Sequence, residues 1–281
     1  SGWLNIRNAN LALQNIDLLA EGTEEDKEML LGQAYFFRGY FHFEMLRAWG
    51  GIPYIDTVLT ASQDLNYARL SYLETADKVA EDLRKAAQLL PNDWDQTTIG
   101  QPNIGQNKGR ATKAAAWGYL GKNYLYAASP LMNGVVTGIY EYNEELSKKA
   151  IEAFQEVFAL EDQGYVGLVS WDRYSDNFYK MDRTAPLTEE TIFNNPVYAH
   201  KASVRGEHIL NGLGGWSCFA GPTQNYVEYF GMANGLPIDD PSSGFDPADP
   251  WSNRDPRFYY NIELDGDQLV QTKPNHNDAI A

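Results

Sequence analysis

The segment GQAYFFRGYFHFEMLRAWGGIPY, which begins at Gly32, constrains this chain more than any other. Ala34, Phe37, Phe41, Met45 and Ala48 recur at helical spacing and mark an apolar face. Phe36, Tyr40 and Phe43 widen that face on both sides, so the helix is expected to be packed by several neighbours. Gly50 and Gly51 supply the backbone freedom of a C-terminal cap, and Pro53 forbids continuation. A second stretch, GRATKAAAWGYLGKNYLYAASPL from Gly109, mixes small residues (Ala111, Ala114, Ala115, Gly118, Gly121) with aromatic ones, which lets another helix come close.

The chain reads in two parts. Residues 1–160 form an α-helical array. Trp3, Ile6, Asn10, Leu13 and Asp17 mark one face of a first helix that stops at Gly22. Thr23 opens the capping sequence T-E-E-D of a second helix, which runs to Trp49. Ser71 caps a third, where Leu73, Ala76, Val79, Ala80, Leu83, Ala86, Ala87 and Leu90 keep period 3.6 and Pro91 ends it. A fourth covers residues 109–128 and ends at Ser129-Pro130. A fifth covers about 143–160, with Leu146, Ala150, Phe154, Val157 and Phe158 inward. Paired helices with small-on-large packing suggest tetratricopeptide-like repeats, at a period that long loops make irregular. From residue 161 to 281, periodicity fades and Gly, Pro, Asn, Asp, Trp and Tyr accumulate. One short helix is expected at 223–230, with minor β at 236–238 and 258–264.

Composition narrows the function. With 38 acidic against 22 basic residues the formal charge is −16, which argues against nucleic acid and anionic lipid as partners. Cys218 is the only cysteine, so no disulfide forms within the chain. No apolar run approaches the ~20 residues of a membrane helix.

Motifs of bond chemistry are missing. His42, His200, His208 and His276 show no metal-ligand spacing. His42 reads as a satisfied buried histidine, and nothing near His208 resembles a nucleophile elbow. Cys218, beside Trp216-Ser217, reads as a buried thiol. Gly100 and Gly105 have the outer spacing of a phosphate loop, but Gln106 stands where lysine is required, and NGLGG from Asn211 lacks the following helix. The aspartates between Asp239 and Asp267 lack the glycine and terminal glutamate of an EF-hand and read as an acidic, proline-ordered surface. No catalytic residue, metal site or cofactor is expected.

Aromatic content carries the functional reading. The chain has 7 Trp, 18 Tyr and 12 Phe. A sugar offers C–H patches to a flat ring and hydroxyls to Asn, Asp, Gln and Arg, and a site built for hydroxyls rejects ligands lacking them. Candidate sets are Trp171, Tyr174, Asn177 and Tyr179, then Asn211 with Trp216, then Trp251 with Asn253. Asp255 is expected to cap or turn the chain, and Arg257 to pair with a buried acid. Arg38, Glu44 and Arg47 read as scaffold ion pairs.

Several segments together resemble the SusD/RagB family of outer-membrane nutrient-binding lipoproteins. They are IRNANLALQNID from Ile6, the helix and exit at 33–54, GRATKAAA from Gly109, PTQNYVEYF from Pro222, NGLPID from Asn234 and NRDPRFYYNI from Asn253. They stand in family order across nearly the whole chain. The chain departs from the family at both ends, without a signal peptide, lipid-attachment cysteine or late helices, and reads as an internal portion. The resemblance implies a tetratricopeptide-like scaffold bearing a loop-rich ligand-binding face. It implies a surface-exposed outer-membrane lipoprotein, tethered only by an N-terminal lipid anchor outside this chain. Such a protein captures glycans or oligosaccharides without catalysis and delivers them to a SusC-like TonB-dependent transporter. The alternative is a tetratricopeptide-type scaffold for peptides or a partner protein, marked by an apolar groove between helix pairs.

Overall fold

Six α-helices run from Gly2 to Asp162 in the computed structural model, which describes residues 2–178, 187–194 and 221–267. They are α1 (Gly2–Gln14), α2 (Glu24–Trp49), α3 (Tyr72–Leu89), α4 (Lys113–Ala128), α5 (Pro130–Thr137) and α6 (Glu144–Asp162). The chain divides into two compact units, Ser1–Val197 and Tyr198–Ala281. No helix among the described residues is long and apolar enough to cross a membrane.

Local chemistry sets the ends of these helices. Thr23 and Ser71 each form a capping box, with Asp26 and Glu74 as their reciprocal partners. The first helix is shorter than the sequence pattern implies. Asn15 leaves helical geometry, its side chain bonds back to the Leu11 carbonyl, and a 3-10 turn (Ile16–Leu18) follows. The fourth begins at Lys113 rather than Gly109. Gly109 has φ +84°, outside helical space, and Thr112 supplies the cap. Ser129-Pro130 ends α4 as expected and also starts α5, since Ser129 caps Met132 and Pro130 needs no N–H at the first position.

Consecutive helices pack antiparallel. Gly32 lies against Leu89 and Gly39 against Leu83, so α2 and α3 run in opposite directions. Asn123 donates to the Ala76 carbonyl while Lys113 bonds Pro91, which does the same for α3 and α4. On α6, Phe154 sits on Gly121, where an added Cβ would come within 2.6 Å of the ring. Gly118 has open space, so of the small residues in α4 it is the one that does not serve close approach. The core joins Phe36, Phe43, Val79, Leu83, Leu90, Trp94, Leu120 and Tyr124.

The deepest face of α2 is Met29, Gly32, Phe36, Gly39, Phe43 and Leu46. The stripe through Phe37 and Phe41 is only half-buried and faces α1, and Ala48 is exposed. Two packed faces explain why aromatic residues surround so much of this helix. On α6, Phe158 is exposed and Leu160 buried, because the inward stripe continues through Ala153, Val157 and Leu160.

A buried polar knot ties α1, α2, α3 and the exit from α2. Arg38 donates to both oxygens of Asp82 at 2.6 and 2.7 Å, and to Asn10 and the Asp56 carbonyl at 3.0 Å each. Tyr54 gives its hydroxyl proton to Asp82 at 2.5 Å. Burial alone would lower the Arg38 pKa, but hydrogen bonding and charge at Asp82 outweigh it and hold the guanidinium ionised. Arg47 and Glu44, at 2.6 Å, form a surface pair.

In the second unit, α7 (Gln224–Glu228) follows its Thr223 cap and α8 (Pro256–Asn261) follows Asp255. Asp255 caps as the sequence implied. The same Asp255-Pro256 start makes 258–261 helical, so the strand expected at 258–264 is absent, as is the one at 236–238. Extended pairing among the described residues is limited to the bridge Met232–Arg254. Arg257 pairs with Asp255, whose own position is the helix cap, and is exposed. The buried arginine is Arg254, which donates to the carbonyls of Val227, Phe230, Gly231 and Pro250 and stacks on Phe258 at 4.6 Å. It satisfies the carbonyls that α7 leaves open.

Candidate functional site

In the first unit a polar cleft of about 670 Å³ opens between the loop joining α3 to α4 and the segments that follow α6. Asp93, Asp95, Asn107, Lys108, Arg110, Tyr165 and Glu189 are among its lining residues. The loop is fixed by Asn107, which is buried. Its amide nitrogen donates to Asp95, Gly100 and Asn103, and its oxygen accepts from Arg110 at 2.9 Å. Asp95 also accepts the Gly105 N–H at 3.0 Å. Its pKa is lowered by the Asn107 bond first and by Gly105 second. Trp94 forms the floor, with its indole N–H on the Ala111 carbonyl at 2.7 Å and the Arg110 guanidinium 3.9 Å above its ring.

Beside this cleft, a 3-10 helix (Trp171–Asn177) carries three of the residues chosen from sequence. Trp171 and Tyr174 stack at 5.1 Å with rings inclined by 27°, and Trp171 is half-exposed. Asn177 donates to Glu190 at 2.7 Å and accepts from Thr188, so its amide is a strut of this ledge. Arg173 grips both oxygens of Glu189 at 2.8 and 3.3 Å, which holds that carboxyl down to about 2. Thr188 and Glu189 also line the cleft, so the aromatic ledge and the cleft share one support.

The remaining candidates are placed differently. Trp251 and Asn253 belong to the second unit. Trp251 lies nearly parallel to Phe258 at 6.0 Å and is exposed. Asn253 has φ 56°, a left-handed turn that asparagine tolerates, and its carbonyl accepts from Ala233. Tyr179, Asn211 and Trp216 lie outside the described residues, as do His200, His208, His276 and Cys218. His42 is fully buried, with Nδ1 on the Arg38 carbonyl and Nε2 accepting from Ile55. No group of three or more His, Cys, Asp or Glu among the described residues is arranged to hold a metal ion.

Sequence reading passed over the cleft itself. Its walls come from residues 92 to 192, brought together by the helical array, and no local period links them. The one local signal was GRATK, where Arg110 follows the turn at Gly109.

Residues 1–125 match a SusD-like family described as starch-binding and associating with the outer membrane. A crystal structure of a SusD-like protein from Bacteroides fragilis is 26% identical with a TM-score of 0.70, over 95% of this chain. The chain is similar to SusD-like proteins in its first 125 residues by sequence and over most of its length by fold. SusD-like protein P2 of Formosa agariphila is 28% identical over 121 residues, 43% of this chain and 22% of that protein. A SusD-like carbohydrate-binding protein from Bacteroides fragilis shares the fold, with a TM-score of 0.61 at 22% identity over 92% of this chain and 44% of its own. The chain spans about half the length of the structures it matches, 49% of the first. Its mainly helical architecture is that of these relatives.

Proposed function

We propose that this chain is part of a non-catalytic glycan-binding protein of the outer membrane, which captures oligosaccharide at the cell surface and delivers it to a SusC-like TonB-dependent transporter. The observation that carries this reading is the family match over residues 1–125, on a fold shared across 95% of the chain. The cleft supports it. A stacked, half-exposed Trp171–Tyr174 pair offers a face to sugar C–H groups, while Tyr165 and the remaining lone pairs of Asp95 and Glu189 offer a polar wall for hydroxyls. Asn177 positions the pair. Trp251 and Asn253 in the second unit are secondary candidates, as are Tyr179, Asn211 and Trp216 outside the described residues.

Calorimetric titration with a panel of soluble oligosaccharides tests the reading, with Trp171→Ala beside wild type. Binding of a glycan that weakens about tenfold in the folded variant is expected, taking the about 1–3 kcal/mol that a nucleobase gains on an aromatic platform as the scale for a sugar face on Trp171. A folded wild type that binds no glycan overturns it.

One observation favours a second reading. Ala9, Ala12, Ile16, Leu19, Leu30, Ala34, Phe37 and Phe41 line a largely apolar groove of about 560 Å³ between α1 and α2. Such a groove suits an apolar helical or extended peptide. Peptide binding lost in Phe41→Lys but retained in Trp171→Ala establishes that reading instead.

A further inference from the structure

Five charged side chains line the cleft, Asp93, Asp95, Lys108, Arg110 and Glu189, and their partners differ. The acids are occupied. Glu189 is held by both arms of Arg173, and Asp95 is bonded by Asn107 and Gly105. Asp93 caps the short turn that follows it, accepting from Asp95 N–H and from Gln96. Of the three acids only Glu189 meets a cation, and neither cation at the cleft is held by a carboxylate among the described residues. Arg110 lies half-buried across Trp94 and donates to Asn107 at 2.9 Å and Gln33 at 3.4 Å, both neutral amides. Lys108 is exposed at the cleft, where its charge acts on Glu189 from a distance, and it makes no hydrogen bond or ion pair among the described residues.

A half-buried guanidinium without a carboxylate is costly, and burial alone pulls the Arg110 pKa down. Its planar fork is matched by a carboxylate or sulfate. The overall charge of −16 does not forbid this, because charges more than a Debye length of about 8 Å away are screened at physiological salt. Within that range Arg173 pairs with both Glu189 and Asp176, and the Asp93 and Asp95 oxygens accept hydrogen bonds from the loop that they hold.

We propose that the cleft selects an acidic glycan, whose carboxylate or sulfate group is taken by Lys108 and Arg110 while a neighbouring ring lies on the Trp171–Tyr174 ledge. This rests on the glycan-binding reading above and specifies its ligand class. Lys108 supplies an exposed, mobile point charge that meets the ligand first. Arg110 supplies a fixed fork, braced on Trp94 and Asn107, that sets its orientation.

The test is calorimetric titration of the chain with three sets of oligosaccharides of equal length: neutral, uronate-containing and sulfated. Each is measured at low and high salt, on wild type, Lys108→Gln and Arg110→Gln, with folding followed by circular dichroism. At least one acidic set is expected to bind about tenfold more tightly than the neutral set, the factor carried by one charge-assisted hydrogen bond. That advantage shrinks at high salt and in Lys108→Gln, which removes no structural contact. Comparison of the two acidic sets identifies carboxylate or sulfate as the group recognised. Equal binding of neutral and acidic sets, or an acid preference unchanged in both folded variants, overturns the inference and leaves glycan binding intact. Failure of every set to bind folded wild type removes the glycan reading itself, and this inference with it.

Discussion

Acid should loosen the helical array through one imidazole. His42 is fully buried, stacked on Tyr54 at 3.9 Å, with Trp3 at its edge. Its Nδ1 lies 2.9 Å from the Arg38 carbonyl and its Nε2 lies 3.1 Å from the Ile55 N–H. This pairing requires the neutral ring with the proton on Nδ1, since a protonated Nε2 would meet another N–H. Burial, the largest cause, moves the folded-state pKa down from 6.5 to about 4. The difference of 2.5 units, at about 1.4 kcal/mol each, makes a contribution on the order of 3 kcal/mol. Because the folded pKa is depressed, the unfolded chain binds the proton first. The contribution is complete above pH 6.5 and is lost as pH falls towards 4, with about 2 kcal/mol gone by about pH 5. Urea unfolding followed by helical circular dichroism at about pH 7.5 and about pH 5, on wild type and His42→Gln, measures this directly. Glutamine does not titrate, so the variant is less stable at neutral pH and the gap narrows by about 2 kcal/mol in acid. Carboxylates common to both proteins cancel in the difference to the extent that they are not coupled to His42. A gap independent of pH, or a His42 ring that titrates near 6.5 by NMR, refutes the reasoning.

Asp82→Ala leaves Arg38 buried with no carboxylate and Tyr54 without its acceptor, and a loss of about 3–5 kcal/mol is expected in urea unfolding. A loss below about 1 kcal/mol would show that the pair is solvated in solution. At Gly51, a Cβ would overlap the Leu70 carbonyl and the Ser71 backbone, neither of which can swing away. Gly51→Ala is therefore expected to cost more than about 1 kcal/mol, while Gly118→Ala, in open space within α4, stabilises by up to about 1 kcal/mol through helix propensity. Thermal melts of the two variants check this ordering.

Much of the array is legible in the sequence because its determinants are local. Thr23 and Ser71 specify caps through groups three residues away, and the stripe from Ala76 to Leu90 recurs at the period of one helix. Pro91 and the Gly50-Gly51 pair end helices by their own backbone geometry. Where two local rules compete, the sequence reads less clearly. Ser129-Pro130 ends one helix and begins another, and Asp255-Pro256 starts a helix inside a stretch whose aromatic and branched residues point to a strand. Arg257 and Arg254 are equivalent in composition. Only packing decides that Arg254 is the one buried beneath the open carbonyls of α7.

The sequence by itself determined a mainly helical array with its caps and stops, because each of these is written in residues close together along the chain. Tertiary structure alone decided the cleft. Asp95, Arg110, Tyr165 and Glu189 are separated by up to 94 residues, and they share one wall because α4 and α6 fold back on their neighbours. Tertiary structure also decided which charges in that wall meet an opposite charge, since Arg173 reaches Glu189 while Arg110 finds only amides.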